Sequence, residues 1–377
     1  MHLHSISTPA AVIDLARMRA NIARMQKHIH GLGADLRPHI KTAKCLNVAE
    51  EQAKAGASGI TASTMKEAEE FFAAGIRDII YAVGMAPAKL PQALHLMRQG
   101  CALKIICDSV ESARAITDFG AKNATCFDVL IEIDSDGHRS GVPPESPELI
   151  EIAKILESGG GARLGGVLTH AGSSYELATP RAIEELAEQE RALCVRAATR
   201  LREAGIACPL VSIGSTPTAL CCKKLEGVNE VRAGVYVFFD LVMHNVGVCS
   251  MNEIALSVLT TVIGHQKEKG WAIVDAGWMA MSRDRGTARM GTDFGYGQVC
   301  SLDGTPLQGY IVSGANQEHG IVSLAHGLDA DISTRFPVGS LLRILPNHAC
   351  ATGAQFPEYH ALAENGECEI WPRFYGW

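Results

Sequence analysis

Short apolar runs alternate with amphipathic stretches over the first 240 residues of the chain. Within residues 180–204, for example, Leu186, Leu193 and Leu201 recur at helical intervals beside charged positions. Eight of the apolar runs have the length and the bounding turn residues that are typical of strands. The eight predicted strands are residues 37–41, 59–63, 78–82, 104–108, 129–134, 165–170, 209–214 and 230–234.

This alternation of strands and helices is typical of parallel strands joined by right-handed crossovers. Eight such units within about 200 to 250 residues fit a closed (β/α)8 barrel of the TIM type. A doubly wound open sheet is the alternative that the pattern leaves open. We therefore predict an α/β fold in which residues 10–240 form the barrel.

The pattern changes after residue 240. Four runs in this part are β-rich, and turn sequences such as Asp303-Gly304 separate many of the runs. We predict that residues 241–377 form a second, mostly β domain, and residues 1–15 are a candidate addition to it. The four β-rich runs are residues 255–266, 271–277, 310–314 and 340–346.

Composition and charge limit the classes of function. Of the 377 residues, 47% are hydrophobic and 20% are charged, which is the balance of a globular protein with a large core. The formal net charge is −7 and no basic cluster is evident, so we expect no nucleic-acid partner. The sequence lacks a signal peptide and any run of about 18 apolar residues, so we expect no membrane span. Its 12 cysteines include no CxxC pair, which favours reduced thiols and the cytoplasm.

The first predicted strand carries three basic side chains. Because side chains alternate between the two faces of a strand, Arg37, His39 and Lys41 would share one face. Burying these groups inside a barrel requires anionic partners. Lys41 closes the predicted strand and would lie at the C-terminal mouth, where barrel active sites lie. A desolvated lysine beside other cations becomes nucleophilic toward an aldehyde, and an edge strand with solvated charges is the alternative.

The seventh predicted strand ends in a sequence that favours anion binding. Gly214 is followed by Ser215, Thr216 and a predicted helix start, so that backbone N–H groups would point at a phosphate. The eighth strand ends at Gly234, shortly before Tyr236. Loops after the last two strands are the usual phosphate site of such barrels. A simple helix cap by Ser215 or Thr216 is the alternative.

Polar side chains also follow the fifth and sixth predicted strands. Arg139 lies in the segment after the fifth strand, and His170 and Tyr175 lie at the end of the sixth and beyond it. Both segments would reach the same mouth as Lys41, because the C-terminal ends of all barrel strands meet there. A loop whose polar groups are satisfied among themselves is the alternative for each segment.

One short motif in the second domain has the spacing of metal ligands. In His348-Ala349-Cys350, the imidazole and the thiol would project to the same side of an extended segment. This pair of donors favours a borderline-soft ion such as zinc. Two ligands are few, so a third would come from elsewhere in the chain, from water or from a substrate. A buried cysteine beside a capping histidine is the alternative.

Taken together, these motifs resemble one family. Residues 8–14, 37–44 and 348–350 are similar to the D-serine dehydratase and D-threonine aldolase group of fold-type III pyridoxal phosphate (PLP) enzymes, which are relatives of alanine racemase. The resemblance runs over nearly the whole chain. It implies a barrel with a second β domain, usually in a homodimer.

The resemblance also implies roles for individual residues. PLP would be attached covalently to Lys41 rather than to Lys44, and Tyr175 would lie near the pyridine ring. His348 and Cys350 would bind a divalent metal. The other residues expected to contact the cofactor are His39 and Arg139 and, in the phosphate-binding stretches, Gly214, Ser215, Thr216, Gly234 and Tyr236.

The family implies chemistry at the α-carbon of a β-hydroxy D-amino acid. In a dehydratase, Lys41 takes the α-proton and a metal assists loss of the β-hydroxyl group, which leads to a keto acid and ammonia. In an aldolase the Cα–Cβ bond breaks instead. Family aldolases typically carry His-x-Asp at the metal position, whereas His348-x-Cys350 is the softer pair of the zinc-dependent dehydratases.

We therefore expect a dehydratase that uses PLP and zinc, with manganese or magnesium as the other candidate metals. Its substrate would be D-threo-3-hydroxyaspartate or D-serine, and its keto-acid product oxaloacetate or pyruvate. A D-threonine aldolase, a non-catalytic PLP carrier and a metal-dependent hydrolase are the alternatives, although small PLP carriers lack a second domain. No spacing selects a partner for a second substrate carboxylate from the candidates Arg139, Arg283, Arg285 and His319.

Overall fold

The computed structural model describes residues 1–377, and the chain divides into two compact units. The barrel unit consists of residues 24–234 together with 376 and 377, and the β unit consists of residues 1–23 and 235–375. From the sequence we expected the division after residue 240; in the structure it falls between residues 234 and 235. The first strand, β1 (Ala10–Asp14), lies in the β unit, and the helix α1 (Leu15–Gly31) follows it.

Eight parallel strands build the barrel unit. These strands are β2 (Asp35–Pro38), β3 (Ile60–Ala62), β4 (Asp78–Gly84), β5 (Ala102–Cys107), β6 (Phe127–Glu132), β7 (Ala162–Leu168), β8 (Leu210–Ile213) and β9 (Glu230–Ala233). Their order in the sheet is β2-β9-β8-β7-β6-β5-β4-β3, and each lies where a strand was predicted. The predicted fold class is therefore confirmed.

The barrel is nearly closed, with few contacts at the seam between β2 and β3. His39 and Thr61 form a single parallel bridge, and the backbone N–H of Ile40 donates to Thr61 O at 3.0 Å. One further bond across the seam, from Ser58 N to Leu36 O at 2.9 Å, lies near the N-terminal ends of the two strands. The strand that leads to Lys41 therefore lies at the seam.

Helices separate the barrel strands, and several begin at capping hydroxyls. Thr64, Ser109 and Thr179 each accept a hydrogen bond from the first turn of the helix that follows. These caps satisfy N–H groups that have no partner inside the helix. The helices are α2 (Leu46–Lys54), α3 (Met65–Ala73), α4 (Leu90–Arg98), α5 (Val110–Lys122), α6 (Glu148–Ser158), α7 (Pro180–Glu203) and α8 (Thr216–Cys221).

The buried Arg37 points into the barrel, where two carboxylates neutralise it. Its Nε donates to Glu230 Oε2 at 2.7 Å and its Nη2 donates to Asp78 Oδ2 at 2.8 Å. These carboxylates belong to the first residues of β9 and β4, and they supply the anionic partners that a buried cation requires. An apolar cluster from β4 to β7 consists of Ile80, Ile106, Leu130 and Leu168.

The β unit contains one sheet of nine strands, of which β1 is the first. The others are β10 (Leu256–Gln266), β11 (Trp271–Val274), β12 (Gln298–Cys300), β13 (Pro306–Ala315), β14 (Gly320–Leu324), β15 (Leu341–Leu345), β16 (Glu358–Leu362) and β17 (Cys368–Pro372). The order is β11-β14-β13-β12-β15-β10-β1-β16-β17. Because β10 also pairs with β11, the strands β10 to β15 close into a small antiparallel barrel.

The N-terminal strand is integral to this sheet. β1 pairs with β10 in the antiparallel direction and with β16 in the parallel direction. Its central residues are fully buried, as a strand between two neighbours requires. Four short helices complete the unit: α9 (Leu241–Asn245), α10 (Trp278–Met281), α11 (Ile332–Arg335) and α12 (Ala349–Gly353).

Two further properties bear on the expectations from composition. No helix combines the length and the apolar character that a membrane crossing requires. None of the 12 cysteines forms a disulfide, and most are buried. Burial raises the pKa of the Cys107 thiol to about 12, so this side chain behaves as a small apolar group.

Candidate active site

Lys41 lies in the turn that follows β2, and not in the strand itself. The strand ends at Pro38, and residues 40–43 form a turn in which Lys44 N donates to Ile40 O at 2.9 Å. The prediction that Lys41 closes the strand is therefore wrong, because the turn ends the alternation of faces after His39. Lys41 still lies at the C-terminal end of the strand, on the side of the barrel where active sites lie.

Two lysines lie close together in this segment, and the structure distinguishes them. Lys44 Nζ is 3.1 Å from Oε1 of the buried Glu67, and Lys44 has a φ of 47°. The Lys41 side chain is exposed and has no carboxylate partner. The expected desolvation of Lys41 is not seen, but its amine is free to react and that of Lys44 is not.

Two histidines beside Lys41 are held neutral. Burial and then the positive charge of Lys41 lower the pKa of His39 well below its ordinary value. The same two causes lower the pKa of His170 to about 3, and His170 Nδ1 lies 2.9 Å from Gly214 O. Arg232 and Arg139 add to the effect on both rings. The strand ends near Lys41 therefore carry positive charge, which suits an anionic ligand.

Arg232 is the buried member of this cationic group. Its guanidinium donates to Ser212 Oγ and to Thr169 O, both at 2.6 Å. Burial lowers the pKa of Arg232, and the charge of Glu230 opposes this effect. Arg232 begins the stretch that leads to Gly234 and Tyr236, but it is not among the site residues predicted from the sequence.

The segment after β8 is built as a helix cap. Gly214 has a φ of 128°, and a Cβ at this position would lie 2.5 Å from Arg232 O. Ser215 Oγ accepts from Thr218 N at 3.3 Å, while Ser215 N donates to Thr218 Oγ1 at 3.0 Å. A helix cap of this kind is the alternative to a phosphate site in this segment. The phosphate-binding role of these residues stays a prediction.

The other residues of the predicted phosphate stretches are buried. Thr216 is the first residue of α8 and is fully buried. A Cβ at Gly234 would lie 3.0 Å from His39 O, so close packing explains this glycine. Tyr236 is fully buried in a 3₁₀ turn, Val235–Val237.

The segments after β6 and β7 are tied to each other. Asp136 Oδ2 accepts hydrogen bonds from Ser173 N at 2.9 Å and from Ser173 Oγ at 2.8 Å. Tyr175 is half-buried, and its ring centroid is 6.3 Å from that of His170. The Arg139 side chain is 62% exposed, and its Nη2 is 3.6 Å from Glu132 Oε1. Arg139 is therefore only loosely held and can turn toward a ligand.

Glu190 is a site residue that sequence reasoning missed. It projects from α7 and is fully buried. Its Oε1 accepts from Ala171 N at 2.8 Å and from Gly214 N at 3.1 Å, so one oxygen holds the segments after β7 and β8 together. Burial raises the pKa of Glu190. No sequence signal marks it, because it is one of several glutamates on a long amphipathic helix.

The predicted metal pair lies in the β unit at the start of α12. His348 is the residue before the helix, and its Nδ1 is 2.6 Å from Asp284 Oδ2. Burial acts to lower the pKa of His348, but hydrogen bonds with Asp284 and Cys350 outweigh it and raise the pKa to about 11. The hydrogen bond with His348 in turn lowers the pKa of Asp284. Asp284 was not predicted, since no spacing links it to residue 348.

The donor set of this pair fits a divalent metal. Asp284 holds Nδ1 of His348, so Nε2 is the ring nitrogen that would face a metal, as in carboxylate–histidine–metal arrangements. His348 and Cys350 together offer one nitrogen and one sulfur, and no cluster of three metal-binding side chains surrounds them. The buried Asp240 accepts from Ala349 N at 2.9 Å and so anchors α12. A metal on this pair would keep positions open for water or substrate.

Two family models cover most of the chain. The alanine racemase N-terminal domain matches residues 13–242, and the putative serine dehydratase domain matches residues 255–362. The chain therefore belongs to the alanine racemase-like, fold-type III family of PLP enzymes that includes the D-serine dehydratases. This confirms the family resemblance found in the sequence.

Individual relatives sharpen this assignment. The chain is 64% identical over 377 residues to D-threo-3-hydroxyaspartate dehydratase of Delftia sp. (strain HT23), covering 100% of this chain and 99% of that protein. A cysteine mutant of that dehydratase, solved in the metal-free form, has a TM-score of 0.99 and 64% identity, and 100% of both chains is covered. The D-serine dehydratase of Dictyostelium discoideum is 28% identical over 389 residues, covering 97% of this chain and 95% of that protein.

Proposed function

We propose that the protein is a PLP- and metal-dependent dehydratase that converts D-threo-3-hydroxyaspartate into oxaloacetate and ammonia. The 64% identity to a dehydratase of that substrate, over the whole of this chain, carries the proposal. D-serine, which would give pyruvate and ammonia, is the second candidate substrate. The reaction removes the α-proton and the β-hydroxyl group of the substrate, and water then replaces the amino group in the product.

The residues around Lys41 fit PLP, which is an aldehyde and an anion. Lys41 Nζ has no carboxylate partner, and the positive charges of Lys41, Arg139 and Arg232 all act on the rings of His39 and His170. When bound, PLP supplies an electron sink for the bond that breaks at the α-carbon. The residues that would hold it are Lys41, His39, Arg139, Tyr175, Gly214, Ser215, Thr216, Gly234 and Tyr236.

Lys41 has a second role in this proposal, as the base for the α-proton. A base must not be held by another group, and Lys41 Nζ has no carboxylate partner. Lys44 is unsuited to this role, because its Nζ is held 3.1 Å from Glu67 Oε1. The neutral His39 and His170 add no competing positive charge close to the amine.

His348 and Cys350 would hold the metal, for which we favour zinc over manganese or magnesium. Imidazole and thiolate donors suit a borderline-soft ion. When bound, the metal supplies a Lewis acid for departure of the β-hydroxyl group. Asp284 keeps the His348 ring oriented, and Asp240 keeps the backbone of Ala349 in place between the two ligands. The solved metal-free form of the Delftia relative supports a metal in this family.

We also propose that the protein is a cytoplasmic homodimer with a small D-amino acid as its substrate. The absence of disulfides among the 12 cysteines supports a reducing compartment, and the resemblance to the family supports a homodimer. Neither a nucleic acid nor a membrane is required by the proposed reaction.

A product assay tests the proposal. The purified protein, reconstituted with PLP and zinc, is incubated in turn with D-threo-3-hydroxyaspartate, D-serine and D-threonine. We expect keto acid and ammonia in equal amounts from the first substrate, and a loss of turnover when a chelator removes the metal. Glycine and an aldehyde as the main products would instead identify an aldolase.

A further inference from the structure

A short segment of the β unit is fixed to the helix that carries the metal pair. Thr352 Oγ1 donates to Met281 O at 2.8 Å, and Asp284 Oδ2 is 2.6 Å from His348 Nδ1. The first of these bonds is buried. Residues 281 and 284 are therefore both held against α12, one on each side of the Ser282–Arg283 dipeptide.

The backbone between these two points is in an uncommon conformation. Ser282 has a φ of 75°, which a residue with a side chain adopts only when its surroundings impose it. Ser282 Oγ accepts from Asp284 N at 3.0 Å, which closes a small turn around residue 283. The chain path at Arg283 is thus determined by the same contacts that orient His348.

Arg283 has a free guanidinium at this position. The residue is exposed, and its Cζ lies 4.7 Å from the centroid of the Trp278 ring, while no carboxylate pairs with it. A guanidinium on an aromatic face keeps its N–H edges available for an anion. Arg285, by contrast, is occupied, since its Nη2 is 2.7 Å from Asp293 Oδ2.

The proposed substrate carries a group that such a cation would bind, namely its second carboxylate. In 3-hydroxyaspartate, one carbon carries both the β-hydroxyl group and the second carboxylate. If His348 and Cys350 held a metal that assists departure of this hydroxyl group, the second carboxylate would lie near these two residues. Arg283 adjoins Asp284, which contacts His348 directly. A guanidinium also matches a carboxylate with two parallel N–H groups, whereas an imidazole such as that of His319 offers one.

We propose that Arg283 binds the second carboxylate of the substrate and so selects 3-hydroxyaspartate over D-serine. The assignment rests on the proposed dehydratase function and adds the residue that sets its specificity. D-serine has hydrogen in place of this carboxylate, so Arg283 contributes nothing to its binding.

Two unreactive ligands test the assignment without turnover. D-aspartate has the second carboxylate but no hydroxyl group to lose, and D-alanine has neither. Binding of each to the holoenzyme is followed by the absorbance of the bound cofactor, in the wild type and in Arg283→Met, which keeps an apolar side chain on Trp278. We expect the dissociation constant for D-aspartate to rise about 10- to 100-fold, as for the loss of a charge-assisted hydrogen bond, and that for D-alanine to stay unchanged.

The activities of Arg283→Met toward the two candidate substrates should differ in the same way. In Arg283→Met, kcat/KM for D-threo-3-hydroxyaspartate should fall by the same factor as the D-aspartate affinity, while kcat/KM for D-serine is retained. Arg283→Lys, which keeps the charge but loses the fork of N–H groups, should recover part of the affinity. Arg289→Met is the matched control, because Arg289 is an exposed arginine of the same segment outside the two fixed points.

The outcomes distinguish the two proposals. Equal weakening of both ligands in Arg283→Met would show a structural role, and unchanged affinity for both would show no role; either result overturns the assignment. An effect of Arg289→Met as large as that of Arg283→Met would also overturn it, since loop charge alone would then explain selectivity. A wild-type protein that forms no keto acid from either substrate contradicts the proposed dehydratase function instead.

Discussion

The strands of the barrel unit are easier to predict from the sequence than those of the β unit. All eight barrel strands were predicted, because parallel strands buried on both faces form apolar runs and helices separate them. In the β unit, β12, β14, β16 and β17 were not predicted. β12 has three residues, and β17 is an edge strand with exposed positions. A strand of three residues is too short to show a hydrophobic pattern, and an exposed edge strand lacks the apolar positions that would form one.

The same two units differ in the chemistry that they concentrate. The barrel unit gathers Lys41, Arg139 and Arg232 with two neutral histidines, which suits an anionic cofactor. The β unit combines the His348 imidazole with the Cys350 thiol and the Asp284 carboxylate, which suits a metal. Under the proposed function, each unit supplies a different requirement of one elimination reaction. Substitutions in the two units should therefore have separable effects.

The largest effect is expected in the barrel unit, from Lys41→Ala. The variant should not attach PLP covalently and should lose at least about 10³-fold in kcat, because both the attachment point and the base are gone. Absorbance after borohydride reduction and the product assay measure the two losses. Lys44→Ala is the matched control, and we expect it to retain the yellow colour of bound PLP. A Lys41→Ala variant that is yellow and active would contradict the assignment.

A second barrel substitution, Glu190→Leu, tests the carboxylate between two site segments. The variant leaves the N–H groups of Ala171 and Gly214 without their acceptor, at a cost of about 2–4 kcal/mol in the free energy of unfolding. Chemical denaturation measures this loss, and the affinity for PLP should fall with it.

Two variants sharpen this comparison. Glu190→Gln keeps an acceptor oxygen and should recover most of the stability. Glu188→Leu, on the same helix but paired with Arg191 and Lys224 at the surface, should change the free energy of unfolding by less than about 1 kcal/mol. If Glu188→Leu and Glu190→Leu lowered the free energy of unfolding equally, Glu190 would have no special role in stability.

In the β unit, Asp284→Asn should weaken the metal site and leave the cofactor in place. The His348 ring loses its carboxylate partner, so the affinity for zinc should fall about 10- to 100-fold. Titration calorimetry with zinc measures the affinity, and the absorbance of bound PLP should not change. Asp293→Asn, which removes a carboxylate that pairs with Arg285, is the control and should retain wild-type zinc affinity. Loss of the absorbance of bound PLP in Asp284→Asn would contradict the expectation that substitutions in the two units have separable effects.

The smallest effect concerns the pH dependence of the barrel unit. Burial and the charge of Lys41 lower the pKa of His170 to about 3, whereas the unfolded chain binds a proton near the ordinary value of 6.5. The stabilisation from neutral His170 is thus complete above pH 6.5 and is lost as the pH falls toward 3. Between pH 7 and pH 5, the wild type should lose up to about 2 kcal/mol more free energy of unfolding than His170→Asn.

Denaturation of the cofactor-free protein at the two pH values measures this difference. His95→Asn is the control, because His95 is exposed and its replacement should leave the pH dependence of the wild type intact. If His170→Asn and the wild type lose the same free energy on acidification, the histidine is not held neutral in the folded state.

The local sequence pattern was sufficient to predict the barrel strands and to select the candidate ligands that lie within motifs. Lys41 and the His348–Cys350 pair could be selected because each lies in a short stretch of distinctive residues. The structural features of Lys41 could not be predicted in full. The turn at residues 40–43 depends on the bond from Lys44 N to Ile40 O within the turn and on the bond from Ile40 N to Thr61 O across the seam. The segment at Ser215 illustrates the opposite case, in which one pattern fits both a helix cap and an anion site.

The sequence by itself determined the α/β class and the family, because these depend on periodicity and on contiguous motifs. Only the tertiary structure decided which charged groups act together. Arg37 meets Glu230 across 193 positions of the chain, and His348 meets Asp284 across 64. Glu190 holds two segments that are separated from it by 19 and 24 positions. The strength of such contacts depends on distance in space and on burial, and neither is encoded in the spacing of residues along the chain.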